Sequence, residues 1–82
     1  MNTQTQKMLA FLSRELNCAV TVDTPLVSSG LVDSLALVNI LVELEAITDR
    51  SIAAERVQPR DLETVRDMML TAERFGSPRR TS

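Results

Sequence analysis

The sequence predicts an all-α protein: a small four-helix bundle of three longer helices and one short one, with a long loop between the first two helices. Three observations lead there. Apolar residues recur every three or four positions over residues 5–16, 34–48 and 65–75, the spacing that lines one face of a helix. Residues that favour helix ends, among them Asn17, Asp33 with Ser34, and Thr64 with Asp67, stand at the edges of those stretches. The chain has 82 residues, which means one domain with a single modest core; a domain of this size buries only about 60% of its unfolded surface.

The first helix, residues 5–16, carries Met8, Leu9, Phe11, Leu12 and Leu16 on one stripe, and that stripe is core. Lys7, Ser13 and Arg14 fall mostly off it. Asn17 suits the helix C-terminus. Residues 17–33 then form a long connection. Ala19-Val20-Thr21-Val22 is rich in β-branched residues, but a lone strand has nothing to pair with in so short a chain. An extended crossing segment is expected instead, with Val20, Val22 and Leu26 tucked onto the bundle and Asp23-Thr24-Pro25 making a turn. A loop of this length is uncommon in a compact domain and often signals function.

The second helix, residues 34–48, shows two apolar stripes. Leu37, Ile40, Leu41, Leu44 and Ile47, with Val38 beside them, form the core stripe. Leu35, Val42 and Ala46, with Asn39 between them, form a second at steps of four, three and four. A helix on the outside of a small bundle buries about one such face, so the second stripe is expected to be partly exposed, rimmed by Glu43 and Glu45. A short third helix is expected over residues 52–57, with Ile52 and Val57 inward and Pro59 ending it, since proline disfavours helical backbone in the residue before it. Thr64-Val65-Arg66-Asp67 reads as a capping box with Asp67 in place of the usual Glu. The last helix follows, with Val65, Met68, Met69, Ala72 and Phe75 largely on one face and the methionines filling gaps. Residues 1–75 are the folded domain; Gly76-Ser77-Pro78-Arg79-Arg80-Thr81-Ser82 reads as a disordered polar tail.

Composition narrows the function. The chain contains no His, Trp or Tyr and a single Cys, Cys18. Ser-His-Asp and Cys-His catalysis within this chain are thereby excluded, as is an ordinary zinc site. Cys18 has no disulfide partner, which fits a reducing compartment, and reads as a small, partly buried residue near a helix end. The start, Met1-Asn2-Thr3-Gln4, lacks the basic and apolar regions of a signal peptide, and no apolar run approaches the roughly 18 residues that span a membrane. A cytoplasmic protein without membrane contact is expected. Between Glu15 and Asp49 there are acids but no Lys or Arg, whereas seven arginines lie from Arg50 onward. The acidic half disfavours nucleic acid. It is either a surface for partners bearing basic patches or simply a solvated face.

The richest stretch is Gly30-Leu31-Val32-Asp33-Ser34-Leu35, leading into the second helix. Gly30 permits unusual backbone angles on the approach. Asp33 and Ser34 favour a helix N-terminus, where free backbone N–H groups and the helix dipole attract negative charge. Local sequence alone also allows an ordinary helix cap. These residues resemble the modification site of the acyl carrier proteins and of their aminoacyl- and peptidyl-carrier relatives. The resemblance covers roughly residues 5–75 and extends to Leu62-Glu63-Thr64-Val65, where the family opens its last helix with a Thr-Val pair. It implies a bundle of the acyl-carrier-protein type. It further implies that Ser34 is esterified with 4′-phosphopantetheine from coenzyme A, that Asp33 helps a phosphopantetheinyl transferase recognise the site, and that Leu35 packs beside the arm or on the partner.

The same resemblance implies a stand-alone, monomeric, non-catalytic carrier that holds acyl or aminoacyl groups as thioesters and docks through Leu35, Ala36, Asn39, Val42, Glu43 and Ala46. Fatty-acid carriers usually place acids two and five residues after the modified serine, where this chain has Ala36 and Asn39. That departure puts general fatty-acid partners in doubt. It favours a dedicated set: an adenylating acyl or aminoacyl ligase and an acyltransferase or synthase, as in secondary metabolism or aminoacyl transfer. The competing reading is a non-covalent helical adaptor that docks through the second helix.

Overall fold

The computed structural model describes residues 2–78. Three α-helices, α1 (Thr3–Leu16), α2 (Ser34–Thr48) and α3 (Val65–Phe75), pack on one another. Two short strands, β1 (Arg50–Ile52) and β2 (Gly76–Pro78), form an antiparallel ribbon at the ends of α2 and α3. The protein is thus mostly helical, with a small sheet that the periodicity did not announce.

Local chemistry sets the helix ends. Asn2 caps α1 by accepting from the Thr5 N–H at 2.7 Å. Asn17 and Asp49 end α1 and α2 in left-handed backbone, with φ of 54° and 55°, each turning its N–H back to the last turn, onto the Ser13 and Glu45 carbonyls. Asn and Asp visit this conformation more readily than other non-glycine residues. Thr64 caps α3, its hydroxyl oxygen accepting from the Asp67 N–H at 3.0 Å. The Asp67 carboxylate answers through the Thr64 hydroxyl, also at 3.0 Å, so the expected capping box closes side chain to side chain.

The core lies between the three helices and the long loop. Met8, Leu12, Leu26, Leu44, Val65 and Met68 are fully buried. Val20, Val32, Ile40, Ile52, Leu62 and Ala72 complete it. The loop therefore behaves as expected for Val20 and Leu26, which the crossing segment delivers to the core. Buried hydroxyls are satisfied within the fold: Thr48 donates to the Leu44 carbonyl and Thr71 to the Asp61 carbonyl, at 2.7 and 2.9 Å.

Several expectations require correction. The short helix over residues 52–57 is absent. Ile52 is committed to the ribbon opposite Gly76, and its N–H donates to the Glu45 carboxylate, leaving Ala54–Arg56 a single 3₁₀ turn. Pro59 does not end a helix; it opens a second 3₁₀ turn, Pro59–Leu62, where its missing N–H costs nothing. Gly76–Pro78, assigned to the tail, is strand β2; the remaining tail residues, 79–82, lie outside the described residues. Gly76 is required there because a Cβ would sit 2.3 Å from the Ala72 carbonyl oxygen and 2.9 Å from Arg50 Cδ. Cys18, expected to be partly buried, is exposed, since the chain leaves α1 at Asn17 on the outer side. Val38 is 62% exposed, not part of the core stripe, because among the described residues no element covers it.

Candidate functional site

Ser34 is the first residue of α2 and is exposed. Asp33 before it is the N-cap, in extended backbone, and its Oδ1 accepts from the Ala36 N–H at 2.8 Å. The Leu37 N–H begins the helical ladder on the Asp33 carbonyl at 3.0 Å. Among the described residues, the Ser34 hydroxyl and the N–H groups of Ser34 and Leu35 have no protein partner. The serine oxygen thus stands at the positive end of a fifteen-residue helix, beside two free donors, where an added anion is stabilised by about 0.3–1 kcal/mol.

The approach to Ser34 is a closed loop. Gly30 has φ +83° and donates its N–H to the Val27 carbonyl at 3.1 Å. A Cβ at this position would meet nothing within 4 Å, so backbone conformation, not space, selects glycine. The Val32 N–H returns to the Leu26 carbonyl at 3.0 Å, and the side chains of both residues are buried. Leu26 and Val32 therefore pin the two ends of the turn that precedes Asp33. Ser29 Oγ braces it by donating to the Pro25 carbonyl at 2.6 Å.

One contributor escaped sequence reasoning. Glu63, just before α3, reaches across to this loop. Its Oε1 accepts from the N–H groups of Val27 and Ser28 at 2.7 and 2.9 Å. Its Oε2 accepts from the Ser28 hydroxyl, and its backbone carbonyl accepts from the Leu26 N–H at 2.8 Å. These donors hold the carboxyl below the usual range, the Ser28 hydroxyl most strongly and its backbone N–H next. Nothing local marks Glu63 for this task. The only sequence signal is that it stands next to the cap of the last helix.

The residues expected to form a docking face divide. Leu35 is 80% and Val42 59% exposed, and Asn39 and Ala46 are exposed beside them. Val38 joins this strip, and Leu31 on the approaching loop is exposed as well. Ala36 is half-buried and packs against the core. Glu43 is half-buried on the helix flank. Glu45, expected on the acidic rim, is instead engaged by the Ile52 N–H at 2.7 Å.

No protein-family model, curated protein or solved structure gives a significant match to this chain. Functional assignment therefore rests on the geometry around Ser34 and on the resemblance of the residues that carry it. Several hollows adjoin the helices. A narrow apolar one of about 190 Å³ begins one turn beyond Ser34, at Leu37 and Val38, and runs to Val57, Pro59 and Leu62. A wider, open one of about 450 Å³ lies between α1 and α3, at Thr5, Val22, Arg66 and Met69, away from Ser34. Among the described residues no helix is long and apolar enough to cross a membrane.

Proposed function

We propose that the protein is a stand-alone carrier, modified at Ser34 by 4′-phosphopantetheine from coenzyme A, that delivers acyl or aminoacyl groups between partner enzymes in the cytoplasm. The observation that carries this reading is the Ser34 hydroxyl, exposed and unpartnered at the first position of α2 within Gly30-Leu31-Val32-Asp33-Ser34-Leu35. Its surroundings fit the group chemically. A phosphodiester on Ser34 Oγ would face the free N–H groups of Ser34 and Leu35 and the positive end of the helix dipole. Asp33 keeps its carboxylate on the Ala36 N–H, so it holds the first turn in place while the hydroxyl stays reachable.

When attached, the prosthetic group supplies a terminal thiol that holds cargo as a thioester. The chain's own part is positional. The capped start of α2 presents one serine oxygen, the braced loop limits its movement, and the Leu35–Val38–Val42 strip offers partners an apolar surface beside it. On this reading the fold is a compact variant of the carrier bundle, in which a single 3₁₀ turn stands where a short third helix is expected. The chain is monomeric and catalysis belongs to its partners: a phosphopantetheinyl transferase, an adenylating acyl or aminoacyl ligase, and an acyltransferase or synthase. Ala36 and Asn39, at positions where fatty-acid carriers place acids, favour such a dedicated set.

The test is intact mass after incubation with coenzyme A and a broad-specificity transferase. The expected result is the gain of one phosphopantetheine, abolished in Ser34→Ala. An unchanged mass overturns the carrier reading. The exposed strip itself favours the second reading, a non-covalent adaptor; such a protein gains no mass and binds its partner equally well with alanine at position 34.

A further inference from the structure

We propose that Glu63 is the positioning residue for Ser34: by clamping Val27 and Ser28 it holds the loop ahead of α2 in the one arrangement that presents the serine to its modifying enzyme. The inference rests on the carrier reading of Ser34 and gives a role to a residue to which the family resemblance assigns none.

The argument starts with the number of bonds on one side chain. Glu63 receives three donors from two consecutive loop residues, the N–H groups of Val27 and Ser28 and the Ser28 hydroxyl. Its backbone carbonyl takes a fourth, from Leu26. No other side chain among the described residues accepts from so many donors. The loop also lies far from Glu63 in sequence, 36 positions for Val27, so the clamp joins the start of the last helix to the approach to the second. From Ser28 the path to Ser34 is short and stiff. Leu26, tied to Glu63, accepts from Val32, and Val32 is buried one residue before the Asp33 cap. Gly30 supplies the positive φ that lets the intervening turn close.

Without the carboxylate, two backbone N–H groups and one hydroxyl lose their acceptor, and all lie where water can replace it. The domain keeps its core, because Leu26 and Val32 remain apolar and buried. What changes is the fraction of chains whose loop stands ready. A partner that needs that arrangement then binds more weakly in proportion to the fraction lost. The effect belongs in apparent affinity for the transferase, not in the rate of the bound complex.

The experiment pairs transferase kinetics with amide hydrogen exchange on the intact chain, comparing wild type, Glu63→Ala, Glu63→Gln and Ser28→Ala. In Glu63→Ala, KM for the carrier should rise roughly tenfold, the equivalent of one charge-assisted bond, with kcat unchanged. Exchange protection should fall at Val27, Ser28 and Val32 while the amides of α1 and α3 keep theirs. Glu63→Gln retains a carboxamide oxygen for the two N–H groups and should recover most of the loss; Ser28→Ala should fall between. A Glu63→Ala chain modified with wild-type KM, or one that loses protection across all helices together, overturns the positioning role. A wild-type chain that gains no mass removes the carrier reading and this role of Glu63 with it. Exchange at Val27 and Ser28 still reports separately whether the clamp exists.

Discussion

Glu45 Oε2 accepts a 2.7 Å hydrogen bond from the Ile52 N–H, tying the last turn of α2 to strand β1. A carboxylate that looks like surface charge is in fact the anchor that turns the chain from helix into ribbon. Because a bond to a charged acceptor is worth more than a neutral one, Glu45→Ala should cost about 1–3 kcal/mol. Glu45→Gln, which keeps an acceptor oxygen, should cost less. Urea denaturation followed by circular dichroism measures both, and equal stability of the two variants would contradict the anchor.

The two sides of α2 should respond in opposite ways to substitution. Val42 is 59% exposed and Leu44 fully buried. Val42→Asp should leave stability within about 0.5 kcal/mol of wild type while impairing transfer to or from partner enzymes. Leu44→Ala should cost about 2–5 kcal/mol through lost burial and the cavity left behind. Thermal melts, alongside a cargo-transfer assay, separate the two. A Val42→Asp chain that unfolds would mean that this face of α2 is covered.

Two glycines should resist replacement by alanine for different reasons. Gly30 has φ +83° and free space around it, so Gly30→Ala should cost about 1–2 kcal/mol, the penalty of left-handed backbone for a residue with a Cβ. Gly76 has an ordinary φ of −85° but no space, and Gly76→Ala should cost about 1–3 kcal/mol by forcing Arg50 and the end of α3 apart. Asn at position 30, which tolerates positive φ, should restore most of the loss. Asn at position 76 should restore none. Denaturation midpoints of the four variants check the contrast.

Acid should loosen the site before it unfolds the core. The Glu63 carboxyl lies below its ordinary value of 4.5, chiefly through the Ser28 hydroxyl; Asp23 lies below 3.8, chiefly through its hydrogen bond from Arg66. For each, the unfolded chain takes up protons at a higher pH than the folded one. Their stabilisation is therefore complete above the ordinary carboxylate range and fades as pH falls through the lowered values. Arg60 and Asp67 line the same hollow as Glu63. Denaturant midpoints recorded from neutral to strongly acid pH should fall in this window. The slope should be shallower in Glu63→Gln. An identical slope would show that the clamp does not titrate.

Much of the site was legible because it depends on neighbours in sequence. The Asp33 cap, the start of α2 at Ser34, the exposure of that serine and the unusual backbone at Gly30 follow from side chains acting on their own turn of chain. The three helices are legible for the same reason: periodicity and capping are local. What periodicity reports, however, is which residues share a face, not what covers it. That is why Val38 was placed with the core, although among the described residues nothing covers it.

By itself, then, the sequence determined the helices, the serine and the loop that precedes it. The tertiary structure alone decided that residues 50–52 pair with 76–78, that Glu45 serves β1, and that Glu63 holds Val27 and Ser28 across 36 and 35 positions. Each of these is a bond between segments whose meeting depends on how the helices pack. A carboxylate has the same local signature whether it ends in solvent or on a distant backbone N–H.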